Sequence, residues 1–237
     1  MITNHRTLLH LDSSASGPRD SVSRQLTGQF ADLWRERNGT DGYRYRDLVA
    51  DPVPHITAGY PILGQRVERC GTVPLDKVAE MAEGADEERE WARTLPLVNE
   101  LLTADTVLIG VPMYNLSISA ALKAWIDRVS FPGVYTDPGT GESLLRGTQV
   151  VLLLTRGGGY GPGTPMQAFD FQTPYLRAYF ARLGVDRANL RLVQAELTRA
   201  GDIPALAQFQ ELAADSLAAA RAAVTELVAV TEPAAQA

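Results

Sequence analysis

Cysteine and histidine are scarce in this chain of 237 residues. The single cysteine, Cys70, excludes an intramolecular disulfide and any cluster of thiolate metal ligands. The three histidines, His5, His10 and His55, lack the spacings that metal ligands use. We place His10 on a strand and the other two at the surface, and we expect no metal site.

The chain also lacks a basic cluster and an apolar run that could span a bilayer. Its formal net charge is −6, which argues against binding to nucleic acid. The longest purely aliphatic run, Val150–Leu154, is too short for a membrane helix. The polar start, Met1–Thr7, is not followed by the apolar core of a signal peptide. We therefore expect a cytoplasmic protein that binds neither membranes nor nucleic acid.

Short apolar segments alternate with amphipathic helices along the whole sequence. Hydrophobic residues make up 45% of the chain, enough for the core of one domain spanning residues 1–237. The predicted strands are Thr7–Asp12, Tyr43–Asp47, Thr106–Val111, Thr148–Thr155 and Asn189–Ala195. This alternation predicts an α/β fold with a doubly wound, five-stranded parallel sheet and helices on both faces.

Four helices are predicted in addition to the strands, together with one longer, interrupted helical stretch and one irregular segment. Helices are predicted over Ser21–Asn38, Ser119–Phe131, Thr173–Leu183 and Pro204–Val230, and a largely helical stretch over Pro74–Leu102. Pro96 is expected to break that stretch, and Pro52–Cys70 is expected to be irregular. The acidic residues Asp86, Glu87, Glu88 and Glu90 are interpreted as a solvated helix face. Residues 231–237 are expected to form a frayed tail.

The first loop of interest, Ser13–Ser23, joins a strand to a helix and is rich in hydroxyl groups. Helix N-termini attract phosphate through free backbone N–H groups and the helix dipole. With one glycine, the loop matches neither the G-x-G-x-x-G pattern of dinucleotide sites nor a Walker motif. A serine-lined phosphate site is one interpretation. Ordinary N-capping by Ser21 or Ser23 explains the loop equally well.

Two more loops are expected at the same edge, because the carboxyl ends of parallel strands lie together there and bind ligands. Pro112–Ser119 brings a methionine, a tyrosine and an asparagine to the end of a buried strand, which suits a planar ring or simple packing. Thr155–Gly163 is rich in glycine, which permits close approach of the backbone to a ligand or mere flexibility.

Four motifs in these regions point to a known family. They are Met113-Tyr114-Asn115, the helix segment Leu122–Asp127, the loop Thr155-Arg156-Gly157-Gly158, and Thr173-Pro174-Tyr175-Leu176. Together they resemble the FMN-dependent NADH-azoreductase family, which belongs to the flavodoxin-like NAD(P)H:quinone reductases. The similarity runs from about Thr7 to Val230.

The resemblance implies a flavodoxin-like homodimer that uses FMN to transfer a hydride from NADH or NADPH to a quinone or an azo compound. It implies no catalytic side chain, because the flavin carries the chemistry. FMN would contact Ser14, Ser21, Val22, Ser23, Met113, Tyr114, Asn115, Leu116, Thr155, Arg156, Gly157 and Gly158. The aromatic acceptor would contact Tyr135, Tyr160 and Arg182. Arg182 stands where relatives tend to carry an aromatic residue, and we expect it either to favour anionic acceptors or to point into solvent.

Two rival functions share the cofactor. A flavodoxin-type electron carrier would bind FMN without a substrate, but such carriers are usually smaller and more acidic. A specialised flavoenzyme acting on a natural-product quinone or an N–N compound would have the same sequence signals. A serine hydrolase is disfavoured, because the chain has no G-x-S-x-G motif.

Overall fold

Five strands form one parallel sheet, each within two residues of its predicted bounds. The computed structural model describes residues 6–230. The strands are β1 (Leu8–Asp12), β2 (Tyr43–Asp47), β3 (Thr106–Pro112), β4 (Gln149–Thr155) and β5 (Leu190–Ala195). Their order in the sheet is β2-β1-β3-β4-β5, and every neighbouring pair is parallel. This is the flavodoxin-like strand order, so the predicted fold class is confirmed.

Helices cover both faces of the sheet. They are α1 (Val22–Asn38), α2 (Gly59–Arg69), α3 (Ala85–Leu102), α4 (Ala120–Val129), α5 (Gln172–Arg182) and α6 (Gln210–Val230). Successive strand residues point to opposite faces. Leu8 therefore joins the apolar cluster formed with α1 and α6, whereas Leu9 joins the larger cluster formed with α2, α3, α4 and α5.

Serine side chains begin two of the helices, as their positions suggest. The hydroxyl of Ser21 accepts a hydrogen bond from the backbone N–H of Arg24 at 3.3 Å. The hydroxyl of Ser119 accepts one from Leu122 at 3.2 Å. Each bond satisfies one N–H group that the first helical turn leaves without a partner.

The segment Pro52–Cys70 was wrongly predicted as irregular, since it contains α2. Pro61 lies in the first turn of this helix, where no intrahelical N–H bond is required. The predicted break at Pro96 is also wrong. This proline lies inside α3, which continues to Leu102 because Leu97 and Val98 are buried against the core. Pro204–Phe209 also differs from its prediction, forming a 3-10 turn before α6.

The acidic stretch at the start of α3 is only partly solvated. Glu87 pairs with Arg66, and Glu90 pairs with Arg128 at 2.7 Å in the interior. The prediction of a solvated face is therefore wrong for these two glutamates, because arginines on α2 and α4 compensate their charges. His10 lies on β1 and His55 is exposed, as predicted. His5 and residues 231–237 lie outside the described residues.

Candidate functional site

The first loop forms a cluster of hydroxyl groups at the N-terminus of α1. Ser14, Ser21 and Ser23 are all buried, and the hydroxyls of Ser21 and Ser23 lie 3.0 Å apart. The backbone N–H groups of Val22 and Ser23 belong to the first helical turn, and neither has an acceptor within the described part of the chain. These donors, together with the positive end of the helix dipole, form an environment suited to a phosphate.

The second loop makes a tight turn directly after β3. Tyr114 and Ser117 exchange two backbone hydrogen bonds, of 2.9 and 3.1 Å. The two residues between them, Asn115 and Leu116, have φ angles of 46° and 73°. A leucine in this left-handed region costs about 1–2 kcal/mol, and such strain is typical of functional sites. The turn fixes where Met113 and Tyr114 lie at the mouth of the sheet.

Hydrogen bonds join the three loops, as expected from their position at one edge. The hydroxyl of Tyr114 accepts the backbone N–H of Ala15 at 3.0 Å and lies 3.4 Å from the hydroxyl of Ser14. The backbone N–H of Met113 donates to the carbonyl of Thr155 at 2.8 Å. The second loop therefore connects the cluster of hydroxyl groups to the glycine-rich loop.

The glycine-rich loop presents a row of backbone donors. The carbonyls of Arg156, Gly157 and Gly158 accept hydrogen bonds of 3.0–3.4 Å from the backbone of residues 197–199, on the β5 side. Across a trans peptide the C=O and N–H groups point in opposite directions. The N–H groups of Gly157, Gly158 and Gly159 therefore point away from β5, toward the β3 side, and none has an acceptor among residues 6–230.

A buried ionic network lies behind the first loop. The guanidinium of Arg24 makes two bonds to Asp47, of 2.7 and 2.8 Å, and donates to the carbonyl of Ser14 at 2.8 Å. Asp12 lies 3.6 Å from the same guanidinium. Burial opposes the ionisation of Asp12, but the nearby His10 ring, together with hydrogen bonds from Thr27 and Tyr45, outweighs it and lowers the pKa of this carboxyl. The network fixes the loop backbone to the end of β2.

The side chain of Arg156 is buried, and its partners all lie within the protein. Only 1% of it is exposed. It pairs with Glu196 at 2.8 Å and Asp170 at 2.9 Å, and it also donates to Gln172 and Thr173. Any contact between this residue and a ligand would therefore be made by its backbone.

The structure separates the three residues assigned to the substrate. Tyr160 lies on the glycine-rich loop, where its N–H donates to Glu196 at 3.0 Å. Tyr135 and Arg182 instead share a cleft of about 620 Å³ between α4 and α5, which Tyr175 and Tyr179 also line. Both helices run from the carboxyl edge of the sheet back to its amino edge, so Tyr135 and Arg182, which lie at or beyond their C-terminal ends, lie toward the amino edge.

Tyr135 is held firmly within this cleft. Its hydroxyl donates to the carbonyl of Val129 at 2.8 Å, and burial raises its pKa well above the ordinary value. Tyr175 and Tyr179 stack nearby with their ring planes 9° apart. Arg182, in contrast, is exposed at the edge of the cleft.

Comparison with known proteins identifies the family. A family model described as a flavodoxin-like fold matches residues 6–219. An FMN-dependent NADH:quinone oxidoreductase of Nocardia farcinica is 44% identical over 202 residues, covering 85% of this chain and 88% of the relative. The protein of that name from Streptomyces coelicolor is 37% identical over 233 residues, covering 95% and 96%. The chain belongs to this flavodoxin-like family. The resemblance drawn from the loop motifs is confirmed.

Solved structures show the same fold. The azoreductase of Bacillus anthracis str. Sterne has a TM-score of 0.74 at 22% identity, covering 94% of this chain and 98% of the other. An FMN-dependent NADH-azoreductase from the Ames Ancestor strain, in complex with FMN, has a TM-score of 0.69 at 20% identity, covering 94% and 99%. At these identities the likeness concerns the fold alone.

The donor groups fit the FMN on which this family depends. FMN has an anionic phosphate at one end and a ring system with hydrogen-bond acceptors at the other. The cluster at Ser21 and Ser23 offers hydroxyl and N–H donors, and no carboxylate forms a hydrogen bond with either hydroxyl. The row at Gly157–Gly159 offers donors without side chains that would obstruct a flat ring.

Two features of this site escaped the sequence analysis. One is the pairing of Arg24 with Asp47, and the other is the part played by Glu196. Arg24 directly follows Ser23, and Asp47 ends the strand beside β1, so the sheet order itself was the signal for the first pair. No comparable signal existed for Glu196. Across residues 6–230 no acidic, cysteine and histidine cluster suited to a metal ion occurs, and none of the helices could cross a membrane.

Proposed function

We propose that this protein is an FMN-dependent oxidoreductase that uses NADH or NADPH to reduce quinones or azo aromatic compounds. The observation that carries the proposal is the meeting of two donor sets at one sheet edge. One is the serine-lined N-terminus of α1, and the other is the row of glycine N–H groups. The 44% identity to an FMN-dependent NADH:quinone oxidoreductase supports it.

Each loop has a separate part in binding the cofactor. Ser14, Ser21, Val22 and Ser23 bind the phosphate through hydroxyl and backbone donors. The turn Met113–Leu116 lies against the ring, and the backbone of Thr155–Gly158 faces its pyrimidine side. When bound, FMN supplies the two-electron chemistry between the nicotinamide and the acceptor. The protein's own work is to orient the two ligands, so we assign no catalytic side chain.

We further propose that the acceptor site is shared between two copies of the chain. Tyr160 lies at the carboxyl edge, whereas Tyr135 and Arg182 line the cleft away from it. A homodimer that places this cleft over the partner's glycine-rich loop would bring all three residues to one acceptor. In that arrangement the exposed Arg182 would favour acceptors that bear a carboxylate or a sulfonate.

A cytoplasmic location is part of the proposal, supported by the exposed free thiol of Cys70.

Flavin binding and turnover test the proposed function. We expect the apoprotein to bind FMN tightly, and the loaded protein to oxidise NADH or NADPH with menadione or an azo dye. Ser23→Asp should weaken FMN binding at least tenfold, because a carboxylate would repel the phosphate. A folded protein that binds no flavin would refute the proposal. Binding without turnover of either acceptor would instead indicate an electron carrier.

A mixed dimer tests the shared site. Arg182→Phe should lower the preference for an anionic over a matched neutral acceptor, measured as the ratio of their kcat/KM values. Mixing this variant with Ser23→Asp creates dimers in which one site keeps both an intact phosphate loop and an intact cleft. The anionic preference should return in the mixture. If it does not return although the mixed dimers form, Arg182 acts within its own chain or has no role in recognition.

A further inference from the structure

One buried arginine and its partners hold the glycine-rich loop in place through ion pairs and hydrogen bonds. Arg156 begins the loop, and its guanidinium pairs with Glu196 and with Asp170. Asp170 lies beyond the loop, just before α5, and accepts the backbone N–H groups of Gln172 and Thr173, at 3.1 and 3.0 Å. The side chain of Arg156 thereby joins the start of the loop to the start of α5.

Glu196 fastens the middle of the same loop. One carboxylate oxygen accepts the N–H of Tyr160 at 3.0 Å in addition to its bond from Arg156, and the other accepts the N–H of Gly161 at 3.1 Å. A Cβ atom at Gly161 would lie 3.1 Å from this second oxygen. A glycine here lets the backbone approach the carboxylate closely.

The fastened backbone is the part that carries the free donors. Gly157, Gly158 and Gly159 lie between Arg156 and the two N–H groups that Glu196 accepts. A glycine-rich segment has many accessible backbone conformations, and the structure holds one that presents these three N–H groups in a row. Fixing the residues on both sides reduces the entropy that ligand binding would otherwise have to remove.

We infer that Arg156 and Glu196 are positioning residues that hold the N–H groups of Gly157–Gly159 toward the flavin ring. This inference rests on the proposed function. In this inference the Arg156–Glu196 pair supports binding of the flavin ring, whereas the serine-lined loop binds the phosphate. The two parts of the site should then respond differently to FMN and to riboflavin, which lacks the phosphate.

Flavin affinities of the apoprotein measure this difference. In Glu196→Gln the amide can still accept from Arg156, but its NH₂ group cannot accept the backbone N–H of Gly161. We expect the Kd values for FMN and riboflavin to rise by the same factor, roughly tenfold. The midpoint potential of bound FMN should become more negative, because fewer donors would face the reduced, electron-rich ring.

Two variants serve as controls. Glu80→Gln removes an equal charge at a surface pair with Lys77 and should change neither Kd. Ser23→Ala should weaken FMN binding but leave riboflavin binding unchanged. Gly161→Ala disturbs the Glu196 contact without changing charge, and it replaces Glu196→Gln if circular dichroism shows that variant to be unfolded.

The outcomes separate the inference from the function on which it rests. Equal losses for both flavins in a folded Glu196→Gln protein support the positioning role. An unchanged riboflavin Kd in that variant, or a loss confined to FMN, would overturn it while the proposed function stands. Wild-type protein that binds neither flavin would overturn both.

Discussion

Replacement of Asp47 by asparagine tests the ionic network behind the first loop. Hydrogen bonds from Arg24 lower the pKa of Asp47 from 3.8 to about 2, against a smaller opposing effect of burial. A depression of nearly two pH units corresponds to about 2.4 kcal/mol of stabilisation. Because 23% of the Asp47 side chain is exposed, water screens part of this, and we expect Asp47→Asn to lower the free energy of unfolding by about 2 kcal/mol at pH 7.

The pH dependence has a definite direction. The pKa of Asp47 is lower in the folded than in the unfolded state, so its stabilisation is complete above about pH 4. It is lost as the pH falls toward 2, and at pH 3 about half of the difference between wild type and Asp47→Asn should remain. Comparing the two proteins at each pH removes the contribution of groups that both contain.

Urea denaturation followed by circular dichroism at pH 7, 4 and 3 measures these differences. Asp51→Asn is the matched control, because this carboxylate is 82% exposed and lies 3.3 Å from Arg46. Its replacement should cost less than about 0.5 kcal/mol at every pH. A loss for Asp47→Asn that is equal at pH 7 and pH 3 would show that the charge of Asp47 is not the source of the stability.

Two further substitutions test the packing around the amino edge and α3. Glu90→Gln should destabilise the fold by about 3 kcal/mol, because the fully buried Arg128 would lose its only carboxylate partner among the described residues. Urea denaturation measures this loss, and a value below about 1 kcal/mol would contradict the expectation. Gly184→Ala should destabilise the fold by at least about 2 kcal/mol, because φ is 81° and the new Cβ would lie 2.3 Å from that of Ser143. Gly201→Ala, with nothing within 4 Å, is its control, and equal melting temperatures for the two variants would refute the steric argument.

The strands were predictable because burial on both faces produces continuous apolar runs. The run at Val150–Leu154 is an example, and it lies within β4. The sequence around α2 was harder to interpret, since Gly59 and Pro61 are typical of loops. The buried residues Tyr60, Leu63 and Val67 repeat at helical spacing there, and this periodicity was the better signal.

The positions of the loops in the candidate site could be predicted from the sequence, but the contacts of their side chains could not. Loop positions follow from where strands end, so the serine-rich and glycine-rich loops could be placed from the sequence. The partners of Arg156 could not, because Asp170 and Glu196 reach it only after a long loop and another strand have folded around it. The sequence analysis assigned Tyr135, Tyr160 and Arg182 to one acceptor site. Within a single chain Tyr135 and Arg182 share a cleft, and Tyr160 does not line it, because α4 and α5 carry the first two residues toward the opposite edge of the sheet.

The order of strands in the sheet also constrains when the site can exist during synthesis. β1 pairs with β3, so Leu8 cannot pair with Thr106 until that residue has been synthesised. β3 in turn pairs with β4, which is synthesised later still. The serine-rich loop is synthesised early, but the glycine donors follow β4, and Glu196, which holds the loop that carries them, follows β5. A nascent chain therefore has no complete flavin site until most of it has been translated, and a ligand that binds only the finished sheet stabilises it by mass action. FMN bound to the completed sheet would then reduce the fraction of molecules that are unfolded and open to proteolysis.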